Sequence, residues 1–239
     1  MQLFFVARIT TMLVLDPQST AFERSEAWRL GTQKNSLRWR QQWTPYSKIS
    51  IRLKQAVIAS EDDGFVSHDG IDWGAVESAW QKNARAQAQA ERDAQRRSQR
   101  AMADSATASA RATKPAAKVV GGSTITQQLA KNLFLSSERT MLRKGQELVL
   151  TLALELILDK RRILEIYLNS VEWGEGIFGA EAAARHYYNK PASQLNAYEA
   201  ARLAVMLTRP KYFEKRPDSG YVSGRAEVIM GRMERAVLP

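Results

Sequence analysis

The segment GGSTITQQLAKN, residues 121–132, predicts the capped start of a buried helix and guides the interpretation of the whole chain. Its two glycines precede Ser123 and Thr124, and either hydroxyl side chain is suited to cap the helix that follows. The apolar side chains that recur every four residues form one buried stripe, which comprises Ile125, Leu129 and Leu133. The polar side chains on the other faces are Gln127, Gln128, Lys131 and Asn132.

Anion binding is one interpretation of this segment. Backbone amides at a helix start, neighbouring hydroxyl groups and Lys131 one turn on are typical of a site for phosphate or another anion. The alternative is an ordinary capped helix behind a flexible loop, which the sequence Gly-Gly-Ser-Thr alone would favour. The segments around it decide between the two.

Composition limits the classes of protein to which the chain can belong. Its 239 residues are 44% hydrophobic, which is enough for one large domain or two lobes with a substantial core. The net charge of +10 suits an anionic partner such as nucleic acid, an acidic membrane surface or a phosphorylated substrate. The absence of cysteine excludes disulfides and thiolate metal sites, and two histidines are too few for a histidine-rich zinc site.

Residues 1–34 differ from the main domain, which we expect over residues 35–239. Residues 3–15 are apolar, but a membrane-spanning helix takes roughly 20 apolar residues. We expect them to be either the end of a membrane anchor or an apolar segment that docks on the domain, and we favour the first. Residues 18–34 are polar and predict a linker or a loose helix.

An acidic segment follows the next predicted helix, which Ser47 or Ser50 caps. The apolar residues assigned to the buried face of that helix are Ile51, Leu53, Ala56, Val57 and Ile58. The segment SEDDGFVSHDGIDW, residues 60–73, places Glu61, Asp62 and Asp63 where the helix ends. A helix dipole disfavours carboxylates there, so these acids indicate a functional role. The alternative is a solvated acidic turn with His68 at the surface.

Residues 81–118 have a different composition, rich in alanine and arginine and without leucine, isoleucine, valine or aromatic residues. They therefore cannot contribute to a core. We predict a solvated helix from Gln81 to about Ala103, followed by a flexible part. A tethering insertion is favoured over a nucleic-acid-binding segment, because no aromatic side chain is present for base stacking.

Two further segments contain charged residues at helical spacing. In RKGQE, Arg143 and Glu147 lie one turn apart and form either a functional pair or a surface salt bridge. In KRRILEIYLN, residues 160–169, Glu165 and Asn169 share one face and Tyr167 belongs to the core.

The remaining hydrophobic patterns are helical. Residues 148–158 are apolar nearly all round and predict a buried helix. Two more helices are predicted over residues 197–207 and 222–237, and no alternating strand pattern is evident. The predicted fold class is therefore mainly α.

The motifs EDDGFVSHDG, GGSTITQQLAKN, RKGQE and KRRILEIYLN, in this order, resemble those of the biosynthetic peptidoglycan glycosyltransferases over about residues 43–225. The resemblance implies a lysozyme-like, two-lobed helical domain whose small lobe dips into the membrane. The chain departs from the family pattern in the insertion at about 81–118. It also has Thr208-Arg209-Pro210 where the family usually has Pro-Asn-Pro.

The resemblance implies polymerisation of lipid II into linear glycan strands, with inversion at the anomeric carbon and release of undecaprenyl pyrophosphate. Glu61 would be the general base on the acceptor's 4-hydroxyl. Lys131, Arg143 and Lys144, with the amides of residues 123–126, would stabilise the leaving group. Glu147 would orient these cations or hold a divalent cation, Mg or Mn, on the pyrophosphate, although the sequence requires no cofactor.

The substrate-binding residues that the resemblance implies are Asp62, Phe65, His68, Ser123, Thr124, Gln127, Gln128, Lys131, Asn132, Arg143, Lys144, Glu165 and Asn169. The implied partners are lipid II, the growing glycan strand and a membrane lipid surface, with penicillin-binding transpeptidases and divisome proteins as further candidates and no nucleic acid. The implied location is the periplasmic face of the cell inner membrane.

Three other classes of protein fit parts of the sequence. A lytic enzyme would share the fold and an essential glutamate but would have no use for a pyrophosphate site. A nucleic-acid-binding protein would explain the charge, but the basic residues lie beside the acids and no recognised binding motif is present. An inactive membrane scaffold would not be expected to retain all four motifs.

Overall fold

The structure, a computed structural model, describes residues 2–33, 38–103, 122–135 and 141–239. The chain forms two compact units, one of Met1–Ile71 with Thr124–Pro239 and one of Asp72–Ser123. The α-helices are α1 (Gln2–Thr11), α2 (Ala21–Gln33), α3 (Ile51–Glu61), α4 (Trp73–Ala103), α5 (Ile125–Phe134), α6 (Met141–Ile157), α7 (Lys160–Ser170), α8 (Ala180–Tyr188), α9 (Ala197–Met206), α10 (Pro210–Phe213) and α11 (Gly220–Met233). The predicted mainly α class is confirmed.

The described residues also form three short strands, although no alternating strand pattern is evident in the sequence. They are β1 (Arg40–Gln41), β2 (Glu172–Gly174) and β3 (Ile177–Phe178), in the order β1-β3-β2. β1 is parallel to β3, and β2 is antiparallel to it. Strands of two or three residues are too short to show an alternating pattern in the sequence. Gly176 in the β2–β3 turn has φ +72°, and a Cβ there would lie 1.9 Å from the carbonyl oxygen of Arg38.

The core of the first unit forms around α3 and α5. α3 packs against α9 and α11, and α5 packs against α2, α6 and α7. The predicted stripe of α5 is confirmed, because Ile125, Leu129 and Leu133 are all fully buried. The cap of α3 is Ser50, whose side chain accepts the N–H of Arg52. Ile51 is 56% exposed, which corrects its assignment to the buried face.

The N-terminal apolar segment packs against the rest of the first unit. Ile9 of α1 is fully buried, and the Phe5 ring meets the Phe134 ring edge to face at 5.3 Å. The Arg162 guanidinium donates from Nε to the carbonyl oxygen of Met12 at 2.8 Å. Of the two interpretations of this segment, the contacts support docking. Among the described residues, no helix combines the length and the hydrophobicity needed to cross a membrane.

The polar stretch after α1 is an ordered helix, α2. Thr20 and Glu23 form reciprocal caps: the amide of Thr20 donates to Glu23 Oε2 at 2.8 Å, and the amide of Glu23 donates to Thr20 Oγ1 at 3.0 Å. Glu26 and Leu30 are buried on the same helix. Of the two predicted alternatives, a linker or a loose helix, the structure shows a helix with buried side chains.

The second unit contains α4. Asp72 Oδ1 accepts the amide of Ala75 at 2.7 Å and caps this helix. The prediction of a helix from Gln81 to about Ala103 is confirmed, since α4 continues to Ala103. The predicted flexible part, residues 104–118, lies outside the described residues.

The prediction of a buried helix over residues 148–158 is wrong for one side of α6. Leu150 and Leu154 of α6 face the core, as does Leu158 directly after the helix, whereas Leu152 is 48% and Leu156 is 86% exposed. One apolar face of this helix is therefore open to solvent.

Candidate active site

Glu61 is the last residue of α3, and its half-buried carboxylate contacts α5. Gln128 Nε2 donates to Glu61 Oε2 at 2.9 Å, while the Ser60 hydroxyl lies 3.5 Å from Oε1. Burial raises the pKa of Glu61, and the charge of Asp62 adds to this effect. The two hydrogen bonds and the charge of Lys131 act in the opposite direction. A carboxylate with a raised pKa is suited to accept a proton near neutral pH.

Gln128 is itself held by α7. The Tyr167 hydroxyl donates to Gln128 Oε1 at 3.0 Å, so Tyr167, Gln128 and Glu61 form one chain of hydrogen bonds. Tyr167 is fully buried, and burial raises its pKa well above the ordinary value. The sequence identified Tyr167 only as a core residue and gave no signal for this contact.

Asp62 occupies the N-terminus of α5. Its Oδ2 accepts the amide of Ile125 at 2.9 Å, and its Oδ1 lies 2.8 Å from His68 Nε2. The amide of Gly70 donates to His68 Nδ1 at 3.1 Å, so the ring proton is on Nε2 and is donated to Asp62. The anion bound at this helix start is therefore a side chain of the protein.

The other amides at the start of α5 form a capping box, and Thr124 is the cap. The amide of Thr124 donates to Gln127 Oε1 at 3.1 Å, and the amide of Gln127 donates to Thr124 Oγ1 at 3.2 Å. The Thr124 and Ile125 amides and the Gln127 side chain, which were predicted to bind the substrate's pyrophosphate, thus have partners within the protein. Their role in substrate binding stays a prediction. Gln127 is buried, whereas Ser123, at the end of the second unit, is exposed.

Glu155 and Lys160, which the sequence analysis did not assign, hold the loop that follows Asp62. Lys160 Nζ donates to the carbonyl oxygen of His68 at 2.6 Å and to Glu155 Oε1 at 2.8 Å. Thr126 on α5 donates to the same Glu155 oxygen at 2.5 Å. A polar residue within the apolar run of residues 148–158 was the available signal for Glu155.

Gly70 allows this loop to approach α6 closely. Its φ is +84°, and a Cβ there would lie 2.7 Å from Thr151 Cγ2. The carbonyl oxygen of Gly70 also accepts the Thr124 hydroxyl at 2.6 Å. A glycine is therefore required by both the backbone conformation and the space.

A group of cations surrounds Glu147, which is 4% exposed. Arg143 Nη1 lies 3.2 Å from Glu147 Oε2, and Lys144 Nζ contacts Glu147 Oε1. Lys131 is partly exposed, and its pKa is lowered, chiefly by partial desolvation. The charges of Glu147 and Glu61 oppose that shift, and those of Arg143 and Lys144 add to it. The two predicted catalytic glutamates and the three predicted cations therefore belong to one electrostatic group.

Three residues predicted to bind substrate make contacts within the protein. Phe65 is fully buried, with Lys160 Nζ 4.7 Å from its ring centroid. Asn169 is fully buried too, and it accepts the amide of Thr44 at 2.8 Å and donates to the Thr44 carbonyl oxygen at 3.0 Å. Glu165 accepts the amide of Tyr46 at 2.7 Å and pairs with Arg162. The polar groups of Asn169 and Glu165 are thus engaged within the protein, and the assignment of the three residues to the substrate stays a prediction.

Two further predictions concern Asn132 as a substrate-binding residue and a divalent cation at the pyrophosphate. Asn132 follows Lys131 on α5 and is half-buried. Within the described ranges, no group of three or more Asp, Glu, His or Cys side chains could hold a metal ion. Both oxygens of Glu147 face cations, Arg143 and Lys144.

A supported carboxylate beside several cations is the arrangement of an enzyme that removes a proton while an anionic group leaves. A model of the transglycosylase family matches residues 30–92 and 98–234. The chain is 50% identical over 238 residues to a biosynthetic peptidoglycan transglycosylase of Burkholderia thailandensis, with 100% of this chain and 82% of that protein covered. It is 48% identical over 239 residues to proteins of the same name from Burkholderia orbicola and Burkholderia cenocepacia, with 100% of this chain and 85% of each covered.

The chain belongs to the transglycosylase family. It is a glycosyltransferase of peptidoglycan synthesis, as its four motifs predicted, and the lysozyme-like, mainly α fold class is confirmed.

Proposed function

We propose that this enzyme polymerises lipid II into linear glycan strands, with inversion at the anomeric carbon and release of undecaprenyl pyrophosphate. The observation that carries the proposal is the electrostatic link from Glu61, a carboxylate with a raised pKa, to Lys131, which also interacts with Glu147, Arg143 and Lys144. A base is needed at the acceptor hydroxyl, and positive charge is needed at the pyrophosphate. The site supplies both.

In the proposed step, Glu61 takes the proton of the acceptor's 4-hydroxyl as that oxygen attacks the anomeric carbon of the growing strand. The bond from that carbon to the pyrophosphate oxygen breaks, and the electron pair leaves with the pyrophosphate. A base acting on the face opposite the leaving group gives inversion. Because pyrophosphate leaves as an anion, no general acid is required.

Lys131, Arg143 and Lys144 stabilise the charge that develops on the leaving pyrophosphate. Glu147 orients Arg143 and Lys144 through its ion pairs. The contacts of Glu147 favour this role over the alternative of holding Mg or Mn, and no step requires a metal.

The proposed location is the periplasmic face of the cell inner membrane, where lipid II would be presented. Exposed apolar side chains support contact with a lipid surface; they include Leu3 and Phe4 of α1 and Leu142, Leu152 and Leu156 of α6. The proposed partners are lipid II, the growing glycan and the lipid surface, with penicillin-binding transpeptidases and divisome proteins as further candidates.

The test is incubation of the purified protein with fluorescent lipid II in detergent. We expect long glycan products from the parent and none from Glu61→Gln, which keeps the shape of the side chain and removes the base. Shortening of pre-formed glycan would identify a lytic enzyme instead. Intact lipid II after prolonged incubation with correctly folded parent would contradict the proposal.

A further inference from the structure

Tyr167 reaches the general base through one intervening side chain. Its hydroxyl lies 3.0 Å from Gln128 Oε1, and Gln128 Nε2 lies 2.9 Å from Glu61 Oε2. We propose that Tyr167 is a positioning residue: it fixes the Gln128 amide, which engages Glu61 Oε2 and leaves Oε1 as the oxygen that takes the proton. This inference rests on the proposed function, because it assigns atoms to that reaction.

The chemistry of the three groups sets the direction of the hydrogen bonds. An ionised carboxylate only accepts hydrogen bonds, so Gln128 must present its amide nitrogen to Glu61. The amide oxygen then faces Tyr167, and the phenol must donate to it. Burial raises the pKa of Tyr167 well above its ordinary value, and the charges of Glu61 and Asp62 add to this effect. The hydroxyl therefore keeps the proton that the chain of hydrogen bonds requires.

The two oxygens of Glu61 are consequently not equivalent. Oε2 accepts the Gln128 hydrogen bond, whereas Oε1 has the Ser60 hydroxyl 3.5 Å away. Oε1 is thus the oxygen with lone pairs less engaged by the protein. When the acceptor hydroxyl gives its proton to Oε1, Oε2 becomes the carbonyl oxygen and still accepts from Gln128. The hydrogen bond from Gln128 to Oε2 therefore stays in place during the step, and such preorganised contacts are the condition for efficient electrostatic catalysis.

The orientation of Gln128 also affects the ionisation of Glu61. Burial and the charge of Asp62 raise the pKa of Glu61, and the hydrogen bonds from Gln128 and Ser60 and the charge of Lys131 lower it. From α7, the group that faces this pair is the neutral Tyr167 hydroxyl. A rotated Gln128 amide would turn its oxygen toward the carboxylate and disfavour the ionised form. Tyr167 opposes that rotation because it needs the amide oxygen as its acceptor.

The test is the pH dependence of kcat/KM for lipid II polymerisation by Tyr167→Phe, which removes one hydroxyl and keeps the buried ring. We expect the acidic limb of the profile, where kcat/KM falls because Glu61 becomes protonated, to move to higher pH. The reason is that the pKa of Glu61 rises when Gln128 is no longer fixed. We expect kcat to fall roughly tenfold and KM for lipid II to change less than about twofold. A loss of folded protein alone would lower kcat without moving the limb.

The matched control is Tyr187→Phe, because the Tyr187 hydroxyl donates to the carbonyl oxygen of Trp173 at 2.8 Å, away from Glu61. It should leave the acidic limb in place. Gln128→Met should move the limb in the same direction as Tyr167→Phe. Because Tyr167 acts through Gln128, adding Tyr167→Phe to Gln128→Met should produce no further shift.

Three results would overturn the inference: a parental pH profile in Tyr167→Phe, a parental profile in Gln128→Met, or fully additive shifts in the double variant. In each case a parent that polymerises lipid II would leave the proposed function intact. A folded parent that forms no polymer would overturn both proposals.

Discussion

The carboxylate of Asp62 accepts the amide of Ile125 at 2.9 Å and thereby joins the end of α3 to the start of α5. α3 carries Glu61, and α5 carries Gln128 and Lys131. A carboxylate at a helix N-terminus is favoured by the dipole and by the unpaired amides there. The distance between the base and the cations therefore depends on a contact made by the neighbour of the base.

Asp62→Asn should weaken this connection. The amide of Ile125 and the ring of His68 both lose a charged acceptor, and a hydrogen bond to a charged group contributes about 1.5–3 kcal/mol. We expect the free energy of unfolding to fall by about that amount and polymerisation to fall with it. Urea unfolding and the lipid II assay measure the two effects. The matched control is Asp63→Asn, since Asp63 is exposed; equal behaviour of the two variants would refute the role of Asp62.

Glu61→Gln should abolish polymerisation and raise the stability of the protein at pH 8. Because burial raises the pKa of Glu61, the folded state binds this proton more tightly than the unfolded state, and stability falls as pH rises through the interval between the two pKa values. Glutamine does not ionise, so it does not contribute this pH dependence. The variant should therefore melt above the parent at pH 8, with a difference that shrinks toward pH 4, while polymerisation is abolished and lipid II still binds.

Calorimetry at the two pH values and the polymerisation assay check both parts. Glu147→Gln is the comparison, because its loss should disturb Arg143 and Lys144 rather than remove the base. Appreciable turnover by Glu61→Gln together with none by Glu147→Gln would transfer the role of base to Glu147.

Arg143→Ala and Lys131→Ala should each remove roughly 2–4 kcal/mol of transition-state stabilisation, the scale for one preorganised electrostatic donor. The readout is kcat/KM for lipid II. Arg185→Ala is a close control, because Arg185 also pairs with a buried glutamate one turn away, Glu181 at 3.0 Å. It should leave kcat/KM unchanged. If Arg143→Ala instead melts early but turns over normally at low temperature, the pair with Glu147 is only structural.

The sequence predicted what depends on local periodicity. The stripe of Ile125 and Leu129 and the cap at Ser50 follow from spacing and side-chain type, and both are confirmed. Ile51 has the right hydrophobicity but lies in the first turn of α3, where the core does not reach.

The contacts that form the site join segments that are far apart in the sequence, so local sequence patterns cannot predict them. Gln128 bonds to Glu61 across 67 positions of sequence and to Tyr167 across 39. Tyr167 was assigned to the core for its ring, which is correct, but its hydroxyl is what reaches the site. Asn169 was assigned to the substrate as part of a motif, and nothing in the motif indicated that its side chain holds the backbone of Thr44.

Replacing residues 81–118 with a short Gly/Ser linker should leave polymerisation on detergent-solubilised lipid II within a few-fold of the parent. The segment has no core-forming side chains, and its described part is a solvated continuation of α4 beyond Trp80. Circular dichroism should show loss of helix confined to the deleted residues. A large loss of activity with the remaining helicity intact would show that the insertion guides the substrate.

Glu172 should make the stability of the protein depend on pH near neutrality. It is 6% exposed, and burial raises its pKa from 4.5 to about 7, although Lys211 lies 3.4 Å away. The folded state therefore holds this proton more tightly than the unfolded state, and stability falls as pH rises from about 4.5 to about 7. Glu172→Gln should be more stable than the parent by up to about 3 kcal/mol at pH 8, with little difference near pH 4. Urea unfolding at both pH values measures this, with the exposed Glu227→Gln as control. A pH-independent difference would mean that Glu172 ionises alike in the folded and unfolded chains and that Lys211 fully offsets its burial.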